Sequence, residues 1–295
     1  MSVERAAQVI RDGGLVAFPT ETVYGLGANA LDEKAVARIF EAKGRPRTSP
    51  LIVHVHSVEM AESLALEWPD PAITLAEHYW PGPLTLVVSK RPEIPDIVTA
   101  GLPTVGLRMP DHPLALALIR AAGVPIAAPS ANRFTELSPT KAQHIPEALA
   151  DYVLDGGPAR VGIESTVLSV VDWPVLLRPG VIPLPQIAAM IGGPVEVAGS
   201  PEEGAHASPG MHPRHYRPRT PLYLLRGGEE PPAGNGARLR IRHEMPRNPA
   251  RYAARLYEML HRLDAEQLDW IAVEQPPETP EWAGVIDRLR RMASP

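Results

Sequence analysis

The stretch Gly14-Leu-Val-Ala-Phe-Pro-Thr-Glu-Thr-Val-Tyr-Gly-Leu-Gly-Ala-Asn29 joins two predicted helices and sets the pattern of the fold. Before it, apolar residues recur at helical spacing from Val3 to Ile10 and stop at a glycine pair. Leu15–Phe18 is then predicted to be a short buried strand. After the stretch, Asp32 can cap a second helix that ends at Lys43. This alternation of helix and strand predicts an α/β protein.

The alternation continues along the next hundred residues. Strands are predicted at 51–56, 84–89, 104–108 and 125–128, with helices near 70–79 and 113–122. From 151 to 178 the pattern becomes strand after strand, which predicts antiparallel additions to the sheet. The expected architecture is an open, twisted, mixed sheet with flanking helices.

A change of composition divides the chain. Residues 199–220 show no apolar periodicity and contain Pro209, Pro213 and Pro218, which is typical of a linker between domains. Strand-like and helix-like segments then alternate again up to residue 295. We predict an N-terminal catalytic domain at 1–199, a proline-rich linker at 200–220 and a compact, Rossmann-like α/β domain at 221–295.

Composition excludes several classes of protein. The chain has 295 residues, 44% of them apolar, which is enough to bury a core, and no cysteine, which excludes disulfides and thiolate metal sites. The net charge is −5, and residues 220–295 hold equal numbers of basic and acidic side chains, so the basic excess of a nucleic-acid-binding protein is missing. No apolar run reaches the ~20 residues needed to cross a bilayer, and we expect a cytoplasmic protein.

Three motifs have competing interpretations. Gly25-Leu-Gly-Ala-Asn-Ala30 matches a dinucleotide-binding G-x-G-x-x-A, but Arg45 stands where that site needs an acidic residue. His54 and His56 lie on one face of a predicted strand; a single histidine lining a site is favoured over a metal pair. Ser130 and Ser165 do not lie in G-x-S-x-G, which argues against a serine hydrolase.

Polar segments follow several of the predicted strands and helices. They supply Lys43, Arg45, Arg108 and Arg178, together with several Ser and Thr hydroxyls. Strand ends of an open α/β sheet are where ligands bind, and arginine matches phosphate and carboxylate groups by paired hydrogen bonds. These segments together favour a nucleotide site.

Eight ordered segments closely resemble the YrdC-like threonylcarbamoyl-AMP synthases. They are Gly14–Asn29, Lys43-Gly-Arg-Pro46, Pro50–His54, Trp80–Thr85, Gly106–Pro110, Pro125–Asn132, Glu164–Val167 and Leu177–Gly180. The linker Ser208-Pro-Gly-Met-His-Pro-Arg-His-Tyr-Arg-Pro218 resembles that of the longer, two-domain members. The resemblance therefore covers essentially the whole chain.

The resemblance implies a reaction and its participants. L-threonine and bicarbonate would form a carbamate that attacks the α-phosphate of ATP, giving threonylcarbamoyl-AMP and pyrophosphate. The product would supply the threonylcarbamoyladenosine modification next to the tRNA anticodon, which downstream transferase proteins complete. Mg²⁺ would accompany ATP without a protein metal site, no organic cofactor or membrane would be involved, and direct tRNA binding would be weak or absent.

The resemblance also assigns roles to residues. The signature residues, expected to be catalytic, are Lys43, Arg45, Ser130 and Asn132. Threonine contacts are expected from Thr22, His54, Arg108, the backbone of Ala128, and Ser165. ATP contacts are expected from Arg45, Ser49, Thr104, Ser130, Ser138, Arg178 and Tyr216.

The chain departs from the family pattern at three places. Ser49 stands where asparagine is common, Arg133–Leu137 lacks the usual small Ser-Gly, and His212-Pro213 replaces Lys-Tyr. Because the linker carries Tyr216, we expect it to close over the site as a lid. Two other functions remain open: an RNA- or nucleotide-binding module without catalysis, and the carbamoyl-transfer role of such domains in hydrogenase maturation. The chain lacks the acylphosphatase and zinc-finger segments that are expected for the carbamoyl-transfer role.

Overall fold

The computed structural model describes residues 2–199 and 216–293. The helices of the first part are α1 (Val3–Arg11), α2 (Glu33–Lys43), α3 (Val58–Glu62), α4 (Asp70–Tyr79), α5 (Asp96–Thr99), α6 (Pro113–Ala122) and α7 (Leu184–Ile191). Its strands are β1 (Val16–Phe18), β2 (Gly25–Asn29), β3 (Ile52–His54), β4 (Leu84–Ser89), β5 (Thr104–Arg108), β6 (Ile126–Ala127), β7 (Tyr152–Val153), β8 (Thr166–Ser169), β9 (Val175–Arg178) and β10 (Glu196–Val197).

Local sequence signals explain the helix ends. The Asp32 side chain accepts hydrogen bonds from the first turn of α2, and Gly44 ends that helix in the left-handed conformation. In α6, the imidazole of His112 caps the first turn and Pro113 lies in that turn. Gly123 ends the helix. These caps lie where the sequence pattern predicts them.

Within residues 2–199 the strands form one mixed sheet in the order β10-β9-β8-β4-β5-β3-β6-β2-β1-β7. The prediction of antiparallel additions after residue 151 is only partly right. β9 is antiparallel to β8, whereas β7 pairs parallel with β1 and β8 pairs parallel with β4. The reason is that the connections between these strands are long enough to return each one in the parallel direction.

Helices cover both faces of this sheet. On one side α1 packs against α6 through small and branched residues that include Ala7, Ile10 and Leu118. On the other side a larger core contains Ile39 of α2 and Leu75 of α4. Both faces of the sheet are therefore buried, and its strand ends provide the open edge.

The second part, residues 216–293, contains β11 (Leu222–Leu225), β12 (Gly236–Leu239), β13 (Trp270–Glu274), α8 (Pro249–Asp264) and α9 (Ala283–Met292). Its sheet is parallel, in the order β11-β13-β12. The predicted small α/β domain is confirmed. The boundaries 1–199, 200–220 and 221–295 stay predictions, and most of the linker lies outside the described residues.

The two parts share a closely packed interface. The core of the second part includes Val23, Leu137 and Ile163 of the first. Gly284 at the start of α9 lies so close to Gly180 that a Cβ atom there would be 2.4 Å from the Gly180 carbonyl oxygen. This contact seats α9 against the loop that follows β9.

Candidate active site

A cavity with about 530 Å³ of empty space opens at the strand ends of the large sheet. Most of the residues expected from the sequence line it, namely Thr22, Arg45, His54, Arg108, Ala128, Ser130, Ser165, Arg178 and Tyr216. Pairing of the strands explains the convergence. In the parallel pair of β3 and β5, His54 lies opposite Arg108, and an isolated bridge joins Gly25 to Ser130.

One end of the cavity is built around Arg108. Its Nη2 lies 2.7 Å from Oε1 of Glu21, and both side chains are almost fully buried. Its Nε donates to the carbonyl of Gly82 at 3.3 Å. Sequence reasoning missed Glu21, although it stands in the segment quoted first. The carboxylate fixes the orientation of a guanidinium that lines the cavity.

His54 is a neutral member of the site. Burial and the nearby charge of Arg108 lower the pKa of its imidazole to about 3, so it carries no charge at neutral pH. Its ring packs edge-on against Phe18. His56 is partly exposed and does not line the cavity, so the strand presents one histidine to the site, in agreement with the favoured interpretation.

Arg178 and Ser165 form a second polar group. The Arg178 Nε and Nη2 donate to the Ser165 carbonyl at 3.2 and 3.0 Å, and Nη2 also reaches the Ser165 hydroxyl at 3.2 Å. That hydroxyl lies 2.8 Å from the hydroxyl of Thr85. The start of β8 and the end of β9 are thereby held together at the rim of the cavity.

Arg45 is the third buried guanidinium of the cavity. It donates to the Ser49 hydroxyl and, at 3.1 Å, to the Pro50 carbonyl, and lies 5.9 Å from the ring of Phe134. Burial, together with the charge of Arg178, lowers its pKa to about 10, which leaves it charged at neutral pH. Ser49 thus contacts Arg45 and does not line the cavity.

Lys43 and Asn132 lie behind the cavity and do not line it. The Lys43 ammonium donates to the carbonyls of Ser130, at 2.6 Å, and of Asn132. Burial, reinforced by the charge of Arg45, holds its pKa well below the usual value. Asn132 Nδ2 donates to the carbonyls of Arg133 and Glu136 at 2.8 and 2.9 Å. Both side chains fix the loop that carries Ser130.

Thr104 and Ser138, the remaining expected ATP contacts, lie in two different places. Thr104 begins β5 and Arg108 ends it, so the two lie about 13 Å apart along the strand. Thr104 lines a separate, smaller cavity. Ser138 is fully buried and donates from its hydroxyl to Oε1 of Glu164 at 2.6 Å. Thr104 is therefore not brought to the main cavity, and Ser138 meets it only through Glu164.

Tyr216 is the part of the predicted lid that the structure describes. It lines the cavity and has a φ of 66°, a left-handed conformation that is rare for a non-glycine residue. The next residue, Arg217, donates its backbone N–H to the Thr135 carbonyl at 2.7 Å. The lid prediction for residues 200–215 lies outside the described residues.

The glycines of Gly25-x-Gly27 have a packing role. They lie inside β2 instead of in a turn before a helix, and a Cβ on Gly27 would be 2.7 Å from Ile126 and 2.8 Å from Phe18. The dinucleotide interpretation therefore fails. Across residues 2–199 and 216–293, no cluster of three or more His, Asp, Glu or Cys could hold a metal ion, and no helix is long and apolar enough to cross a membrane.

Three buried arginines line a cavity at the edge of a mixed sheet, an arrangement in an α/β protein that is suited to an anionic ligand. A family model described as "Telomere recombination" matches residues 8–180, and one described as "Threonylcarbamoyl-AMP synthase, C-terminal domain" matches residues 182–294. The chain belongs to the Sua5/YciO/YrdC family.

Individual relatives agree with the family models. The threonylcarbamoyl-AMP synthase of Bacillus subtilis is 43% identical over 99% of this chain and 92% of its own length. The enzyme of that name from Pyrococcus abyssi is 52% identical over 75% of this chain and 67% of its own length. The crystal structure of P. abyssi Sua5 complexed with L-threonine has a TM-score of 0.91 at 39% identity, covering 99% of this chain and 95% of that one.

Proposed function

We propose that this chain is a threonylcarbamoyl-AMP synthase. The L-threonine amine and bicarbonate form a carbamate with loss of water. An oxygen of this carbamate then attacks the α-phosphorus of ATP, and the bond to pyrophosphate breaks. The convergence of Arg45, Arg108 and Arg178 with the neutral His54 in one cavity carries this proposal. Two relatives that cover most of the chain have this name, and L-threonine is bound in the P. abyssi structure.

The end of the cavity around Arg108 suits the amino acid. Arg108 is charged and held in place by Glu21, so it can pair with the threonine carboxylate without reorienting. Beside it, the uncharged His54 can exchange a hydrogen bond with the threonine hydroxyl, because a neutral imidazole has one donor and one acceptor nitrogen. It also adds no second positive charge next to Arg108. Thr22 and Ser165 offer further hydroxyls.

The other end suits the triphosphate. Arg45 and Arg178 line it, and both are buried where their charges act strongly on phosphate oxygens. The carbamate oxygen is already anionic, so the reaction needs positioning and charge neutralisation more than a general base. Mg²⁺ would enter as part of the nucleotide substrate. Lys43 would act by fixing the loop of Ser130.

Pyrophosphate release from ATP tests the proposal, provided that it depends on both threonine and bicarbonate. A nucleotide- or RNA-binding module would release none, and a carbamoyl-transfer domain would not depend on threonine. Lys43→Ala and Arg45→Ala should abolish release while the fold persists. Arg38→Ala is the matched control, because Arg38 lies on the same helix as Lys43 in an exposed pair with Asp151. Near-normal release by either site variant would contradict the assignment.

The product would pass to separate transferase proteins that complete threonylcarbamoyladenosine in tRNA. The net charge of −5 and the balanced charges of residues 220–295 agree with a chain that makes the adenylate without binding tRNA tightly. A cytoplasmic location and Mg²⁺ with ATP remain predictions. Filter binding of tRNA to the purified chain at physiological salt checks the tRNA prediction, and tight binding would contradict it.

A further inference from the structure

The carboxylate of Glu164 lines the cavity and is held from the second part of the chain. Its Oε2 lies 2.7 Å from Nε of Arg288, and both of its oxygens lie within 3.3 Å of the Tyr257 hydroxyl. Ser138 donates to Oε1 at 2.6 Å from the first part. Burial favours the neutral acid, but the charges of Arg288 and Arg178 and the Ser138 hydrogen bond outweigh it and leave the pKa of Glu164 below its usual value.

Arg288 belongs to the second part and contacts this network through three of its side-chain nitrogens. It lies on α9, and its side chain is 0% exposed. Its Nη1 donates to the Pro179 carbonyl at 2.9 Å, and its Nη2 donates to the Glu164 carbonyl at 3.3 Å. Arg288 thus contacts the residue just before Ser165 and the residue just after Arg178, the two residues that form a polar group at the cavity rim.

We propose that Arg288 is a positioning residue for the nucleotide end of the cavity, acting through Glu164 and Pro179 on Ser165, Arg178 and Ser138. The second part would then complete the site of the first. The proposal rests on the function proposed above. The ring of Tyr216 lies 5.4 Å from the Arg288 guanidinium. Arg288 therefore also contacts Tyr216, the linker residue that is expected to bind ATP.

A purely structural ion pair is the alternative. Removing one partner of a buried pair leaves the other charge unpaired, which lowers stability whether or not the pair positions a site. The two ideas differ in what happens to catalysis by the folded enzyme. If Arg288 positions the nucleotide end, its loss changes the KM for ATP and kcat well below the unfolding temperature. If the pair only supports the fold, thermal stability alone falls.

The test uses the full chain with Arg288→Met, Arg288→Lys, Glu164→Gln and the double variant Arg288→Met with Glu164→Gln. Arg290→Met is the matched control, because Arg290 lies on the same helix in an exposed pair with Glu278. Each variant is measured for its melting temperature, for pyrophosphate release at varied ATP and threonine, and for ATP affinity by calorimetry. All assays are run at 25 °C on protein that circular dichroism shows to be folded.

We expect Arg288→Met to lower kcat/KM for ATP at least tenfold and to change the KM for threonine less. Of the expected threonine contacts, Ser165 belongs to the network, whereas Arg108 and His54 do not touch it. Arg288→Lys keeps the charge but loses the paired geometry, so it should recover only part of the loss. The double variant should be no worse than the poorer single variant, since both substitutions break one unit.

Three outcomes would overturn the proposal. One is unchanged kcat and KM in Arg288→Met with a lower melting temperature. Another is a double variant whose loss equals the product of the two single losses. The third is a loss of the same size in Arg290→Met. If the wild type itself releases no pyrophosphate, the proposed function fails, and the ATP affinities of the variants still decide the role of Arg288.

Discussion

The contact between Gly284 and Gly180 makes Gly284→Ala a sharp perturbation of the interface. A Cβ at Gly284 would lie 2.4 Å from the Gly180 carbonyl oxygen and 2.7 Å from its carbonyl carbon. Ordinary van der Waals contact begins near ~3.5 Å, so α9 would have to move away by about 1 Å. Gly284 and Arg288 lie four residues apart on one helix face, so Arg288 moves with it.

This displacement has a calculable effect on the buried ion pair. The distance from Arg288 Nε to Glu164 is 2.7 Å, and a shift of about 1 Å takes it beyond hydrogen-bond range. Overpacking costs about 1–3 kcal/mol, and weakening a charged hydrogen bond adds about 1.5–3 kcal/mol. Up to about 1 kcal/mol of this loss is offset, because alanine has a higher helix propensity than glycine. The free energy of unfolding should therefore fall by about 1.5–6 kcal/mol.

Urea unfolding followed by circular dichroism measures the loss of stability, and pyrophosphate release measures the effect on the site. Gly193→Ala is the matched control, because a Cβ at Gly193 would have nothing within 4 Å. It should change the free energy of unfolding by less than about 0.5 kcal/mol. If Gly284→Ala is as stable and as active as the wild type, α9 is not seated against Gly180 as described, and the reasoning is refuted.

Two further predictions concern His54 and Thr135. The pKa of His54 is about 3 in the folded chain and about 6.5 when unfolded, so below pH 6.5 only the unfolded state takes up this proton. His54 therefore reduces the free energy of unfolding by up to about 1.4 kcal/mol per pH unit as the pH falls from 6.5 towards 3. His54→Asn should remove this part of the slope in urea unfolding between pH 5 and 6.5, and an unchanged slope would contradict the burial argument. Thr135 has a φ of 72°, in the left-handed region that favours glycine. Thr135→Gly should therefore raise the free energy of unfolding by up to about 1 kcal/mol, and the melting temperature with it; an unchanged or lower melting temperature would refute the strain.

Strand and helix positions followed from the sequence because their signals are local. Apolar periodicity and capping residues such as Asp32 act within a few positions. The meeting of His54 and Arg108 was also predictable, since strand ends in an open sheet converge. The parallel direction of β7 was not, because strand direction depends on the path of the whole connection.

The parts of the site that were missed are long-range. No local signal shows that Lys43 donates to carbonyls near 130, or that Glu21 holds Arg108. Arg288 is harder still, since it lies fully buried on a helix face while its charge makes it look solvent-exposed in the sequence. Thr104 lies at the opposite end of β5 from Arg108 and lines a different cavity, which the motif does not reveal, and its expected ATP contact stays a prediction.

The link between Glu164 and Arg288 also bears on the order in which the protein is synthesised. The two residues are 124 positions apart, so at a typical rate of ~5–20 residues per second about 6–25 s separate their addition to the chain. During that interval the first domain holds the Glu164 carboxylate with Arg178 and Ser138 but without Arg288. Because burying it without this ion-pair partner is less favourable, the nascent domain should leave this end of the cavity open. The site would close only when the second domain folds against it.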